Sequence, residues 1–187
     1  LSIFKGQMGA VTPVAFSPDG KLLASAGSDE AVVRVWDVRT EKCLRVLRGH
    51  AIYVLSVAFS SDRRLLASAG DDAVLLWDAK TGECLRTLKG SELEGSLRSL
   101  SFSTDGKLLA LPCRHSTVQI WNPQTGQYLC TLQVQSPYVL SVEFSPDGRM
   151  LASGGGKSYE IGSLRAWGSF LGESGHTDII ILGIPED

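Results

Sequence analysis

No stretch of this chain approaches the roughly 18–20 apolar residues that a membrane helix needs. No charged-then-apolar leader is visible from Leu1 onward. Positive charge is not in excess either: 18 Lys and Arg stand against 20 Asp and Glu, a net charge of −2. A nucleic-acid groove usually needs a basic surface, so neither nucleic acid nor membrane is an expected partner. Cysteine is scarce. Cys43, Cys84, Cys113 and Cys130 lie 41, 29 and 17 residues apart, which is no zinc pattern. Few, irregularly spaced cysteines suit a reducing, cytoplasmic compartment. No cofactor or metal is expected. What the chain does have is glycine, 20 of 187 residues, which suits a fold with many turns.

Four blocks align without a gap over fourteen residues: VAFSPDGKLLASAG from Val14, VAFSSDRRLLASAG from Val57, LSFSTDGKLLALPC from Leu100 and VEFSPDGRMLASGG from Val142. Their starts are 43, 43 and 42 residues apart, and Trp36, Trp77, Trp121 and Trp167 follow them in turn. Repeats of this period mark propellers and solenoids. Each block reads as hairpins. An apolar run ending in Phe is strand a. The SPDG-type segment is a turn, in which Pro fixes φ, Asp bonds its own backbone and Gly takes positive φ. KLLAS is strand b, VVRVW or AVLLW is strand c, and CLRVL or CLRTL after a DAKTGE-type turn is strand d. Such sheets, apolar on both faces, must be covered on both. A ring of blades does this.

These blocks resemble the WD40 family of β-propellers. The pieces that carry the likeness are Gly49-His50, Trp36-Asp37, Trp77-Asp78 and the SPDG turns at Ser17 and Ser145, and it spans residues 1 to about 171. The expected fold is all-β, with blades of four antiparallel strands and about four blades, a partial or half ring. Residues 1–5 align with a strand d. The tail 172–187 resembles the start of a degenerate fifth repeat, and its DIIILGI segment also fits an edge strand or a partner contact.

The resemblance implies a structural tetrad in the second blade: His50, Ser68, Asp72 (or Asp71) and Trp77. The same residue types could form a hydrolytic triad, with Ser68 as nucleophile, His50 as base and Asp72 as orienter. Context favours the staple, because Ser68 lies inside LASAG on an apolar strand rather than on an exposed nucleophile elbow. The other blades depart from the pattern. Gln7 replaces His in the first, and Leu111 and His115 replace Ser and Asp in the third. In the fourth, Ser153 and Trp167 remain, but a GGGKSYEIGS insertion lengthens the b–c loop.

Other signals carry less. GGGKS at 154–158 lacks the earlier Gly and the following helix of a phosphate-binding loop, so it reads as a flexible turn. Cys113 and His115 could offer two metal ligands, but no second pair is nearby. Cys43 and Cys84 occupy equivalent strand-d positions and read as packing residues.

Three ring arrangements are consistent with four repeats: part of a larger propeller, a half-ring completed to eight blades by a second copy, or a four-blade ring or open arc. The expected function is a non-catalytic scaffold for a protein or peptide. The resemblance points to the loop end of each blade, where Ala10 and Thr12, Tyr53 and Leu55, Ser96 and Arg98, and Tyr138 and Leu140 stand before strand a. Ser28, Asp71, Arg114, and Lys157 or Tyr159 join from the b–c loops. Aromatic and Arg residues dominate interface energy most often, so Tyr53, Arg98, Arg114 and Tyr138 are the expected anchors. Capping of blade edges is the alternative role for the two tyrosines. The alternatives for the whole chain are a sensor domain of a larger NACHT-type signalling ATPase and, more distantly, a hydrolase.

Overall fold

The computed structural model describes residues 3–7, 9–27, 29–70, 73–90, 93, 97–134, 139–155, 163–168 and 180–183. Its strands form four four-stranded antiparallel sheets, each built from consecutive strands. The first holds β1 (Val11–Phe16), β2 (Leu22–Gly27), β3 (Glu30–Asp37) and β4 (Cys43–Arg48). The second holds β5 (Val54–Phe59), β6 (Leu65–Gly70), β7 (Val74–Asp78) and β8 (Cys84–Leu88). The third holds β9 (Ser101–Phe102), β10 (Leu109–Cys113), β11 (Thr117–Asn122) and β12 (Gln127–Gln133). The fourth holds β13 (Ser141–Phe144), β14 (Met150–Gly155), β15 (Ser163–Gly168) and β16 (Ile180–Gly183).

The turns explain why the hairpins form where they do. In each a–b turn a serine hydroxyl donates to an aspartate two residues on, and then accepts the amide that opens strand b. Ser17 and Asp19 lie 2.7 Å apart, and the Leu22 amide reaches Ser17 Oγ at 2.9 Å. Ser60–Asp62, Ser103–Asp105 and Ser145–Asp147 repeat the arrangement. The fourth turn position needs φ > 0, and Gly20, Gly106 and Gly148 supply it at +68°, +68° and +70°. The second repeat puts Arg63 there instead, at φ +62°. The residue after each of the first three Trp closes the c–d turn. Asp37 Oδ1 accepts the Thr40 amide, and Asp78 Oδ1 the Thr81 amide, at 2.7 and 2.6 Å. Asn122 does the same for Thr125 at 3.1 Å.

The sheets stack face to face through three apolar seams. Ala24, Ala26, Val33 and Val35 of the first sheet bury Val57, Phe59, Leu66 and Trp77 of the second. Ala67, Ala69, Val74 and Leu76 then meet Leu100, Leu109 and Leu111. Ala110, Val118 and Ile120 meet Val142, Phe144 and Leu151. Each fully buried Val, Leu or Phe contributes roughly 1.5–3 kcal/mol. Side-chain-to-backbone bonds stitch the innermost strands as well: the Val142 amide donates to Ser99 Oγ and the Phe144 amide to Ser101 Oγ, both at 3.1 Å. The sheet stack does not close into a ring among the described residues.

The two terminal segments are placed as follows. Residues 3–7 join no sheet, although 1–5 align with a strand d. The c strands β3, β7, β11 and β15 already carry d partners of their own, so none offers a free ladder edge. The segment instead lies over Trp36, whose ring Phe4 meets edge-on at 5.8 Å. In the tail, Ile180–Gly183 pairs antiparallel with β15 as the edge strand of the fourth sheet. Period-two apolar patterning is common to strands a and d, so the residues alone do not separate the two roles.

Candidate functional site

The loop end of the blades is built by antiparallel pairing. Val54 opposes Gly70 and Cys113 opposes Thr117, so the entry to strand a and the b–c turn share one end of each sheet. Tyr53, just ahead of β5, is 56% exposed, and Leu140, just ahead of β13, is 50% exposed. Arg98 and Arg114 are exposed and Leu55 is half-buried. Tyr138 and Asp72 lie outside the described residues, as do Ser28, Asp71, Ser96, Lys157 and Tyr159. No group of three or more metal-binding side chains occurs among the described residues. Cys113 Sγ turns back to the Leu111 carbonyl at 3.4 Å.

Beneath this end, the second blade brings His50, Ser68 and Trp77 together. His50 Nε2 and Ser68 Oγ are 2.7 Å apart, and Trp77 Nε1 donates to Ser68 Oγ at 2.8 Å. Ser68 is 0% exposed. Its hydroxyl is engaged from two sides and closed to any approaching carbonyl, whereas a nucleophile needs an open path to substrate. Gly49 packs closely beside His50: a Cβ there would stand 3.1 Å from Leu75 Cδ1 and Trp77 Cη2, so those side chains would have to give way.

The first blade solves the same problem with different groups. Trp36 Nε1 donates to Ser25 Oγ at 2.8 Å. With its amide nitrogen towards Ser25, Gln7 donates to that oxygen at 2.9 Å, while its own oxygen accepts the Gly27 amide at 3.0 Å and Arg34 Nη1 at 2.9 Å. Arg34 also pairs with Glu30 and holds that carboxyl below its usual range. In the third blade Leu111 removes the hydroxyl, and Gln119 Oε1 takes the Trp121 N–H at 3.0 Å. In the fourth, Ser153 Oγ is buried with no partner among the described residues. Gln119 and Arg34 escaped the sequence reading. The signal was there: each stands two residues before its Trp and directly opposite the strand-b staple position.

The far end of the blades is electrostatically set by the turn carboxylates. The Ser17 hydroxyl, the Lys21 amide and Arg63 hold Asp19 down to about 2. Ser103 lowers Asp105 and Ser145 lowers Asp147 in the same way. At Asp62 burial works against ionisation, but bonds from Ser60 and the Arg64 amide win. Glu143 is the opposite case: burial raises it, against a hydrogen bond from Ser101.

Blades of this kind, with a Trp-to-Ser bond under a Gly-His loop, agree with the comparisons of the sequence. The family model described as "WD domain, G-beta repeat" matches residues 1–37 and 41–78. This chain belongs to the WD40-repeat family. The model of the WD40 domain of anaphase-promoting complex subunit 4 matches residues 87–147. Nuclear distribution protein PAC1 of Coccidioides posadasii is 36% identical over 165 residues, 79% of this chain and 33% of that protein. Nuclear distribution protein nudF of Aspergillus niger is 30% identical over 190 residues, 97% of this chain and 42% of that protein. Pre-mRNA-processing factor 19 of Bos taurus is 28% identical over 145 residues, 77% of this chain and 29% of that protein. The chain thus spans a third to two fifths of the length of the nuclear distribution proteins it matches. WD40 repeats indicate a protein-interaction scaffold. Among the described residues no helix is long and apolar enough to cross a membrane.

Proposed function

We propose that this chain is a non-catalytic platform, with four repeats over 1–171, that binds a protein or peptide at its loop end. Tyr53, Leu55, Arg98, Arg114, Tyr138 and Leu140 form the contact set, and His50, Ser68, Asp72 and Trp77 hold the loops in place. The observation that carries this reading is the exposure of Tyr53 and Leu140 at strand entrances, with the Tyr53 entrance resting on the buried His50–Ser68–Trp77 staple. Large apolar groups held out in water by a rigid frame gain most from a partner. The test is a pull-down against candidate partners, followed by titration of Tyr53→Ala/Arg98→Ala. Loss of at least about tenfold in affinity at unchanged melting temperature supports the reading. Unchanged affinity in a folded protein rejects the face. The four free cysteines favour a cytoplasmic site of action.

A second reading concerns assembly. Val14 and Phe16 are 60% and 63% exposed, whereas their repeat equivalents Val57 and Phe59 are 7% and 8% exposed under the preceding blade. A further blade covers this face in our reading, supplied by a second copy that completes an eight-blade ring. Light scattering behind a sizing column tests it. A mass of twice 20.1 kDa supports the shared ring, and a monomer that persists at high concentration rejects it.

A further inference from the structure

The a–b and c–d turns of the first two blades enclose a groove of about 360 Å³ at the end opposite the loop face. Leu22, Leu44 and Phe59 form its apolar wall, with Arg45, Arg63 and Lys80 on the rim. Asp19 and Asp62 also border it, but both are engaged. Arg63 Nη1 reaches Asp19 Oδ2 at 2.9 Å, and Asp62 is held by Ser60 and the Arg64 amide. Arg45 and Lys80 form no salt bridge among the described residues, although Lys80 lies close enough to Asp78 to help lower its carboxyl.

The repeat supplies an internal control. In the equivalent place between the second and third blades, Arg86 stands for Arg45, Gln124 for Lys80 and Gly106 for Arg63. There Arg86 Nε donates to the Gln124 carbonyl at 3.0 Å, and Gln124 Nε2 to the Gly106 carbonyl at 3.5 Å. Arg86 thus reaches across the second groove, whereas the bond that crosses the first is Arg63 to Asp19, which does not engage Arg45 or Lys80. Arg63 is also where the second repeat departs from glycine. A residue held at φ +62° in a turn that three repeats make with Gly carries a backbone cost, and its guanidinium spans the two blades.

We propose that this groove takes an acidic segment of a partner protein, with an aromatic or leucine side chain on Leu22, Leu44 and Phe59 and a flanking carboxylate between Arg45 and Lys80. Two cations outside any salt bridge, beside an apolar wall, match that chemistry. The surface is separate from the loop face, so either can fail without the other.

The test uses the 187-residue chain and a labelled eight-residue peptide of Asp and Glu with one Phe and one Leu, next to its Asn/Gln counterpart, read by fluorescence anisotropy at low salt. The acidic peptide binds at least about tenfold more tightly than the amide peptide. Arg45→Glu/Lys80→Glu abolishes that preference, Arg45→Met/Lys80→Met weakens it about tenfold, and Tyr53→Ala/Arg98→Ala leaves it intact. Equal binding of the two peptides, no binding of either up to about 1 mM, or binding that survives both charge variants overturns the proposal.

Discussion

Trp77 and Ser68 are joined by one hydrogen bond of 2.8 Å, and Trp36 and Ser25 by another of the same length one blade earlier. The group that completes each pair differs, His50 in one and Gln7 in the other. The Trp-to-Ser bond is therefore the constant part of the staple and the loop residue the variable part. Ser68→Ala leaves the Trp77 N–H and a His50 nitrogen without their buried partner. The expected cost is about 1–3 kcal/mol, read as a lower urea midpoint at unchanged slope. A loss below about 0.5 kcal/mol would mean that water replaces the hydroxyl.

The third blade lacks this hydroxyl, and Gln119 answers for Trp121 from within the same strand. A bond two residues along one strand does not tie a loop to the sheet as His50 does. Amides of β6 and β7 are accordingly expected to exchange with solvent more slowly than those of β10 and β11. Hydrogen exchange resolved by strand checks it, and equal protection would show that seam packing alone sets local stability.

Glu41 sits at φ +58° in a c–d turn where the next two blades use Gly82 and Gly126. Glu41→Gly relieves the left-handed cost at the price of some unfolded-state entropy, for a net gain of about 0.5–1 kcal/mol. The reverse change is penalised twice. A Cβ at Gly82 has φ +80° to accommodate and would stand 2.9 Å from Arg45 Cδ and Leu47 Cδ2, so Gly82→Ala is expected to cost about 1–2 kcal/mol. Thermal melts of the two variants should move in opposite directions.

The turn aspartates predict the response to acid. Asp19, Asp62, Asp105 and Asp147 all have lowered carboxyl pKa values. A lowered carboxyl stabilises the fold above its unfolded value near 4 and loses that contribution as pH falls through its folded value, which is about 2 for Asp19. The contribution of these aspartates should be unchanged from about pH 7 to about pH 4.5 and be lost as pH falls below about 4. Asp19→Asn, Asp105→Asn and Asp147→Asn together should flatten the acid limb. An unaltered limb in that triple variant would place the acid sensitivity elsewhere.

Much of this architecture can be read from the residues because the same local solutions recur. A Ser-x-Asp turn and the apolar runs around it recur four times in step, and a Trp followed by Asp or Asn three times, each with a local physical cause in turn chemistry or two-sided burial. What could not be read depends on partners far along the chain. Ile180–Gly183 has the pattern of any apolar strand, and only its pairing with Arg165–Gly168 makes it an outer strand. Residues 3–5 have a strand-like pattern and no edge to join. Gln119 needed the register opposite Leu111 before its role could be seen. The bare Val14–Phe16 face was invisible in sequence, since the same residue types are covered in the later blades.

Gly6 and Gln7 stand over Trp36 as Gly49 and His50 stand over Trp77, and in each case they come before the sheet they secure. The first two blades are thus laid like roof tiles, each pinned by the strip of chain that leads into it. A shortened chain that starts at Val54, where the second sheet starts, would keep every strand of that sheet and lose its pin. One that starts a few residues earlier, before Gly49, would keep both. The natural seam for cutting or grafting these repeats therefore lies between the last residue of β4 and Gly49, not at the start of the next sheet.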